Sequence, residues 1–296
     1  MKNSNYMSRQ ASAGLLLTAL IWGFAFVVVK SSLDKIDPFY MLAFRFSIAT
    51  LGLSIIFFKR LKNINLSMLK GGFVLGLLLF IGYALQTVGC KYTTAGKNAF
   101  LTAAYVVMVP FLHRLINNQK TKKINIAAGF IALLGIGLLS LRQDFMMNIG
   151  DLLTLLCGVA FAVHMVFVVK YTANHDPVLL TVLQLGIAAV MSWIAAPIID
   201  GGFPAEAFHT DIIGGMLYLG LMSTMLAFLL QNVCQKYISP STAAILLSTE
   251  SVFGIMFSII FLAEKLSLRM AVGCVLIFVA IILSQLKLKK EVNKTA

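Results

Sequence analysis

Apolar residues fall in long continuous blocks along almost the whole chain, separated by short polar breaks. The blocks run about 18 to 23 residues, enough for a helix to cross a roughly 30 Å hydrocarbon core. Backbone groups in lipid must bond within the protein, which leaves helices or closed barrels. Continuous apolar runs, rather than ten-residue alternation, select helices. Ten spans are predicted, at about 12–31, 38–58, 68–89, 95–116, 124–141, 149–170, 178–199, 211–235, 241–263 and 268–286. The connectors carry Asp37-Pro38, Asp176-Pro177, Gly201-Gly202 with Pro204, and Ser239-Pro240, all ordinary helix breakers. No connector has room for a soluble domain.

Composition agrees with that pattern. Of 296 residues, 59% are hydrophobic and 12% charged, and the mean hydropathy is +0.91. Soluble domains are nearer half apolar and a quarter charged. The net charge of +13 does not signal nucleic acid, because the basic residues lie in short loops and at the termini. With the N-terminus inside, sixteen Lys and Arg fall in cytoplasmic segments, among them Arg9, Lys59, Arg60, Lys62, Lys120 and Lys122. Seven fall outside: Lys30, Lys35, Lys91, Lys97, Arg142, Lys265 and Arg269. That bias, with the acidic Asp200–Asp211 loop outside, predicts a plasma-membrane protein with both termini cytoplasmic. The first span follows Lys2 and Arg9, exceeds a signal h-region and lacks a cleavage-site pattern, so it is expected to be retained. Cys90, Cys157, Cys234 and Cys274 lack metal-ligand spacing and read as small core residues.

The chain repeats itself. Gly82–Asn118 reappears as Ala227–Ala263: a shift of 145 pairs Gln86 with Gln231, Lys91 with Lys236, Tyr92 with Tyr237 and Ala99 with Ala244. Trp22-Gly23 aligns with Cys157-Gly158, Asp37-Pro38 with Asp176-Pro177, and Gly71-Gly72 with Gly214-Gly215. Two halves are expected, 1–142 and 143–296. Five spans is an odd number, so the second half enters the membrane from the opposite side. The fold class is therefore an all-α polytopic membrane protein with ten transmembrane helices in two inverted five-helix repeats. Such repeats hold substrate near the midplane between them and favour alternating access.

Several of these residues match a known family in order and spacing. They are Trp22-Gly23, Phe44-Arg45-Phe46, Ala84-Leu85-Gln86, Tyr92-Thr93-Thr94-Ala95-Gly96, Pro110, and Ala263-Glu264-Lys265-Leu266-Ser267 before the last span. Over nearly its whole length the chain resembles the EamA-type members of the drug/metabolite transporter superfamily. The last motif resembles the family's Gly-Glu-(Lys/Arg)-Leu-(Ser/Thr). The first half has Asn118-Gln119-Lys120 at the equivalent place, and Gln184 stands where Arg45 would repeat. The resemblance implies a carrier of small metabolites, with amino acids a frequent substrate class.

Charged and strongly polar groups inside a span usually face a cavity or a partner. Glu250 lies mid-span at the place where the first half has Tyr105. Desolvation there disfavours its charge, and it can bind a proton or a substrate cation. The alternative is a structural hydrogen bond or a buried pair. Arg45 stays charged and holds a substrate carboxylate, pairs with Glu250, or snorkels. Lys97 and Asn98 open span four after Thr94, an N-cap residue. Lys97 is either a gate or a snorkelling cation. Gln86 and Gln231 orient substrate or bond between helices. Trp22, Tyr83 and Tyr105 offer aromatic walls with polar tips. His164 in span six is a proton relay or a satisfied core histidine.

Phosphate loops, paired metal ligands and nucleophile motifs are lacking, so no enzyme activity and no cofactor are expected. The expected function is secondary transport of small metabolites, amino acids or related compounds, in the efflux direction, by alternating access and with proton coupling. The expected partners are a small-molecule substrate and the lipid bilayer. A multidrug or nucleotide-sugar carrier, a channel, and an intramembrane enzyme or lipid-handling protein are the competing readings.

Overall fold

The described residues of the chain, in a computed structural model, are 2–117, 123–140, 147–204, 209–238 and 240–285. Asn118-Gln119-Lys120, Lys122, Arg142, the tip of the acidic loop and the C-terminal lysines lie outside them, as do the side chains of Lys2, Pro110 and Thr242.

The first half holds α1 (Lys2–Ser32), α2 (Pro38–Ile56), the short α3 (Phe58–Leu61), α4 (Leu66–Tyr92), α5 (Ala95–Ala103), α6 (Tyr105–Asn117) and α7 (Lys123–Ser140). The second holds α8 (Ile149–Thr172), α9 (Pro177–Ile199), α10 (Thr210–Leu217), a π-helical segment (Tyr218–Leu226), α11 (Ala227–Gln235), α12 (Pro240–Ser248), α13 (Glu250–Leu262) and α14 (Leu268–Gln285). Among the described residues six spans are long and apolar enough by themselves to cross a membrane, and four shorter apolar helices complete the ten. Large apolar side chains such as Ile55, Leu133, Ile198 and Val275 stand exposed on the outside, as a lipid-facing surface requires.

Helix starts follow local sequence. Asn65 accepts from the Met68 N–H at 2.9 Å, Asn148 from Gly150 at 2.7 Å and Asp176 from Val178 at 2.8 Å, each satisfying a first-turn donor. Asp37 makes no such bond to α2. Asp200, from the other half, takes the Phe39 and Tyr40 N–H groups at 2.7 and 3.0 Å instead.

The packing has the symmetry of the repeat. α1 lies on α13, and its counterpart α8 lies on α5 and α6. α4 lies on α8 and α9; the π segment and α11, its counterparts, lie on α2 and α1. The pairs α2–α9 and α7–α14 join equivalent helices, and α5–α13 is answered by α6–α12. Exchanging the halves maps this set onto itself, as two inverted repeats demand.

Three departures from the ten continuous helices expected above bear on the site. Span four breaks at Ala104 between α5 and α6, and span nine breaks at Thr249 between α12 and α13. These are equivalent positions under the shift of 145. Span eight is π-helical in its middle, where Thr224 Oγ1 donates to Leu219 O at 2.6 Å.

Candidate functional site

Both breaks are matched by small residues on the facing helix. A Cβ on Gly23 of α1 would stand 2.4 Å from Phe253 Cβ and 3.1 Å from the Glu250 carbonyl oxygen. Its repeat counterpart, Gly158 of α8, faces Thr102 O and the Tyr105 N across the other break. At Gly23 the missing Cβ lets α1 approach the broken helix of the other half, whereas a Cβ at Gly158 would meet only ordinary contacts. Tyr105 and Glu250 are the first residues after the two breaks.

Between the halves lies a cavity with about 50 Å³ of room for water centres, space for a handful of waters. Trp22, Arg45, Tyr83, Gln86, Asn98, Tyr105, His164, Gln231 and Glu250 all line it. Phe161, Phe228, Thr102 and Ser223 complete its polar and aromatic walls. Lys97 does not reach it. Its Nζ pairs with Asp151 at 2.8 Å at one end of the bundle.

Arg45 is 1% exposed. Its Nε donates to Thr224 Oγ1 at 2.9 Å and an Nη to Ser223 Oγ at 3.0 Å. The guanidinium also lies 4.5 Å from the Tyr83 ring centroid, a cation–π contact worth about 2 kcal/mol when desolvated. These bonds use two of its five N–H groups, and no ion pair joins it to Glu250. The π segment presents the two hydroxyls, and the Ser223 carbonyl accepts from Trp22 Nε1 at 2.8 Å.

Glu250 is 3% exposed. Its neighbour across the repeat interface is Tyr105, whose buried hydroxyl has no partner of good hydrogen-bond geometry. His164 Nε2 meets Gln184 Oε1 at 2.9 Å, so the residue in Arg45's repeat position holds this histidine. Gln86 Nε2 donates to Thr102 Oγ1 at 3.2 Å. Trp22 packs on Phe228, centroids 5.2 Å apart, and Tyr83 on Phe161 at 5.4 Å.

Sequence reading passed over Ser223, Thr224 and Thr102, which are ordinary in transmembrane helices, and Asp151. The signal for Asp151 was present: a carboxylate in the first turn of an otherwise apolar span. It is fully buried and accepts from Thr93 Oγ1 at 2.5 Å as well as from Lys97. At the same end Lys30 Nζ donates to Cys90 O and Thr93 O at 2.8 and 2.7 Å. Glu264 takes the Ala95 and Gly96 N–H groups of α5 at 2.7 and 3.0 Å. Among the described residues no cluster of His, Cys, Asp and Glu has the makings of a metal site.

Comparison with known proteins gives the same picture. An uncharacterized transporter of Archaeoglobus fulgidus is 35% identical over 277 residues, which is 94% of this chain and 86% of the relative. The uncharacterized transporter YoaV of Bacillus subtilis is 24% identical over 271 residues, 89% of this chain and 92% of its own. A crystal structure of 16% identity aligns with a TM-score of 0.70 over 94% of this chain and 98% of that one, a likeness of fold alone. The model of the EamA-like transporter family matches residues 11–141 and again 148–286. The chain belongs to the EamA-like transporter family and is a multi-pass membrane transporter.

Proposed function

We propose that this transporter moves small amphipathic metabolites, amino acids or related compounds, out of the cell by alternating access of the central cavity. One observation carries the reading: a buried guanidinium and a buried carboxyl line the same cavity and do not pair with each other. An arginine taken out of water without a carboxylate is costly. Two hydroxyls and an aromatic face offset part of that cost and leave the cation suited to an incoming carboxylate. Glu250 is the complementary group, for a substrate ammonium or a proton, and exchange of one for the other would couple export to the proton gradient. Trp22, Phe161 and Phe228 supply the apolar wall. In this reading the halves divide at 142/143, the end carrying Lys97 and Glu264 faces outward, both termini lie in the cytoplasm of a plasma-membrane protein, and the chain has no enzymatic role.

The aromatic wall beside a carboxyl also suits lipophilic cations, the multidrug reading. The small volume of the cavity favours the smaller solutes. Purified protein in liposomes should show saturable counterflow of at least one amino acid or close analogue, lost in both Arg45→Ala and Glu250→Ala. Absence of counterflow across a broad metabolite panel, with and without a pH gradient, would count against it. Flux that survives both substitutions would remove these residues from the site.

A further inference from the structure

We propose that Asn98 makes the cavity selective for ligands that donate a hydrogen bond, so that a primary ammonium is accepted and its N-trimethyl counterpart is not. The inference rests on the zwitterion reading above and adds a selection that charge alone does not make.

Asn98 is fully buried at the end of the first turn of α5 and lines the cavity. Its helix is held firmly at the start. Ala95 and Gly96 donate to Glu264, and Lys97 donates to Thr94 Oγ1 at 3.2 Å. The orientation of the Asn98 amide is fixed by chemistry. Nδ2 donates to the Gln86 carbonyl at 3.1 Å and to Thr154 Oγ1 at 2.8 Å. A backbone carbonyl can only accept. Thr154 has one hydroxyl proton and gives it to Gly150 O at 2.6 Å, so it too can only accept from Asn98. A flipped amide would set oxygen against both, so the flip ambiguity usual for this side chain is removed.

Oδ1 is therefore the atom left over, buried and without a protein partner. A dry acceptor costs about 1–3 kcal/mol, a factor of roughly 5 to 150 in affinity. A ligand that donates to Oδ1 relieves that cost, and a ligand without an N–H leaves it standing. An ammonium can serve Oδ1 for as long as it keeps one N–H. A trimethylammonium keeps its charge and its attraction to Glu250 and the aromatic walls, but it brings none.

The test uses the full-length protein in detergent or liposomes. The probes are L-leucine and L-phenylalanine with their N-methyl, N,N-dimethyl and N,N,N-trimethyl derivatives, read by competition or counterflow. The expected loss concentrates at the last methyl, where the final N–H disappears, and amounts to about tenfold or more. Equal small losses at each methyl mean steric exclusion and overturn the inference. So does trimethyl binding within threefold of the primary amine; both outcomes leave the zwitterion reading standing. Should none of the series bind, both fall together. Asn98→Leu should bring the last-methyl ratio close to one. If that variant does not fold, Asn98→Ala, which also removes Oδ1, should lower the same ratio several-fold; an unchanged ratio in either folded variant also overturns the inference.

Discussion

The Lys97–Asp151 pair ties the start of α5 in one half to the start of α8 in the other, and its two ends should not be equally sensitive. The Asp151 side chain is wholly buried and that of Lys97 is 18% exposed. Lys97→Met strands the carboxylate in a site where only Thr93 and the N-terminal dipole of α8 remain to hold it. Losing one partner of a buried pair costs about 3–5 kcal/mol, and the helix dipole returns about 1, so a loss near 2–4 kcal/mol is expected. Asp151→Asn leaves instead an ammonium on a flexible stem close to the aqueous edge. It can turn toward water, and about 1–2 kcal/mol is expected. The double variant should lose less than the two singles together, with a coupling energy of about 1.5–3 kcal/mol. Thermal unfolding in detergent, followed by intrinsic fluorescence, would read these as shifts of roughly 2–4 °C per kcal/mol. Losses that add to within about 0.5 kcal/mol, or a larger loss for Asp151→Asn than for Lys97→Met, would refute this account of the pair.

Other positions give independent checks. Ala263 holds a left-handed backbone (φ 51°) at the end of α13, which costs a non-glycine residue about 1–2 kcal/mol; Ala263→Gly should raise the melting temperature, and a lowered one contradicts the strain. Gly23→Val should lose about 2 kcal/mol or more through its clash with Phe253. Gly158→Ala, with its nearest contact at an ordinary 3.4 Å, should be tolerated, and equal damage at both sites would refute the packing. Glu264→Ala should cost about 1–2 kcal/mol and speed hydrogen exchange at Ala95 and Gly96, whereas unchanged exchange there would show that the cap does not hold α5. Arg45→Lys, which loses the fork shared between Ser223 and Thr224, should fold but drop counterflow by about tenfold, and full flux would show that the fork is dispensable.

The membrane class, the ten spans and the doubling of the halves were legible because lipid imposes a coarse code: apolar length and internal repetition. The composition of the cavity was legible for a related reason. A charge or amide in an otherwise apolar span needs somewhere to point, and Arg45, Gln86, Asn98, Gln231 and Glu250 all point to one place. The partner of Lys97 was not legible, because Asp151 is distant in sequence and looks like a routine first-turn acid. The helix breaks were hidden for a different reason. Ala104 is the best helix former, and Thr249 carries no Pro or Gly beside it, so local propensity does not mark these interruptions. The π segment is likewise invisible in Tyr218–Leu226, whose composition suits an ordinary α-helix.

That π segment behaves like an insertion of one residue carried inside a helix instead of in a loop. One residue is about 100° of turn but only about 1.5 Å of length. The half of span eight before it places Ile212 and Met216 in one apolar cluster with Met41, and the half after it aims Phe228 and Gln231 into the cavity. Gain or loss of one residue here would scarcely alter where the helix ends, yet it would rotate a different set of side chains toward Trp22 and Tyr83. Within this fold, then, a small length change in span eight acts as a dial on the lining of the cavity, a route by which related carriers can acquire new substrates without rebuilding the scaffold.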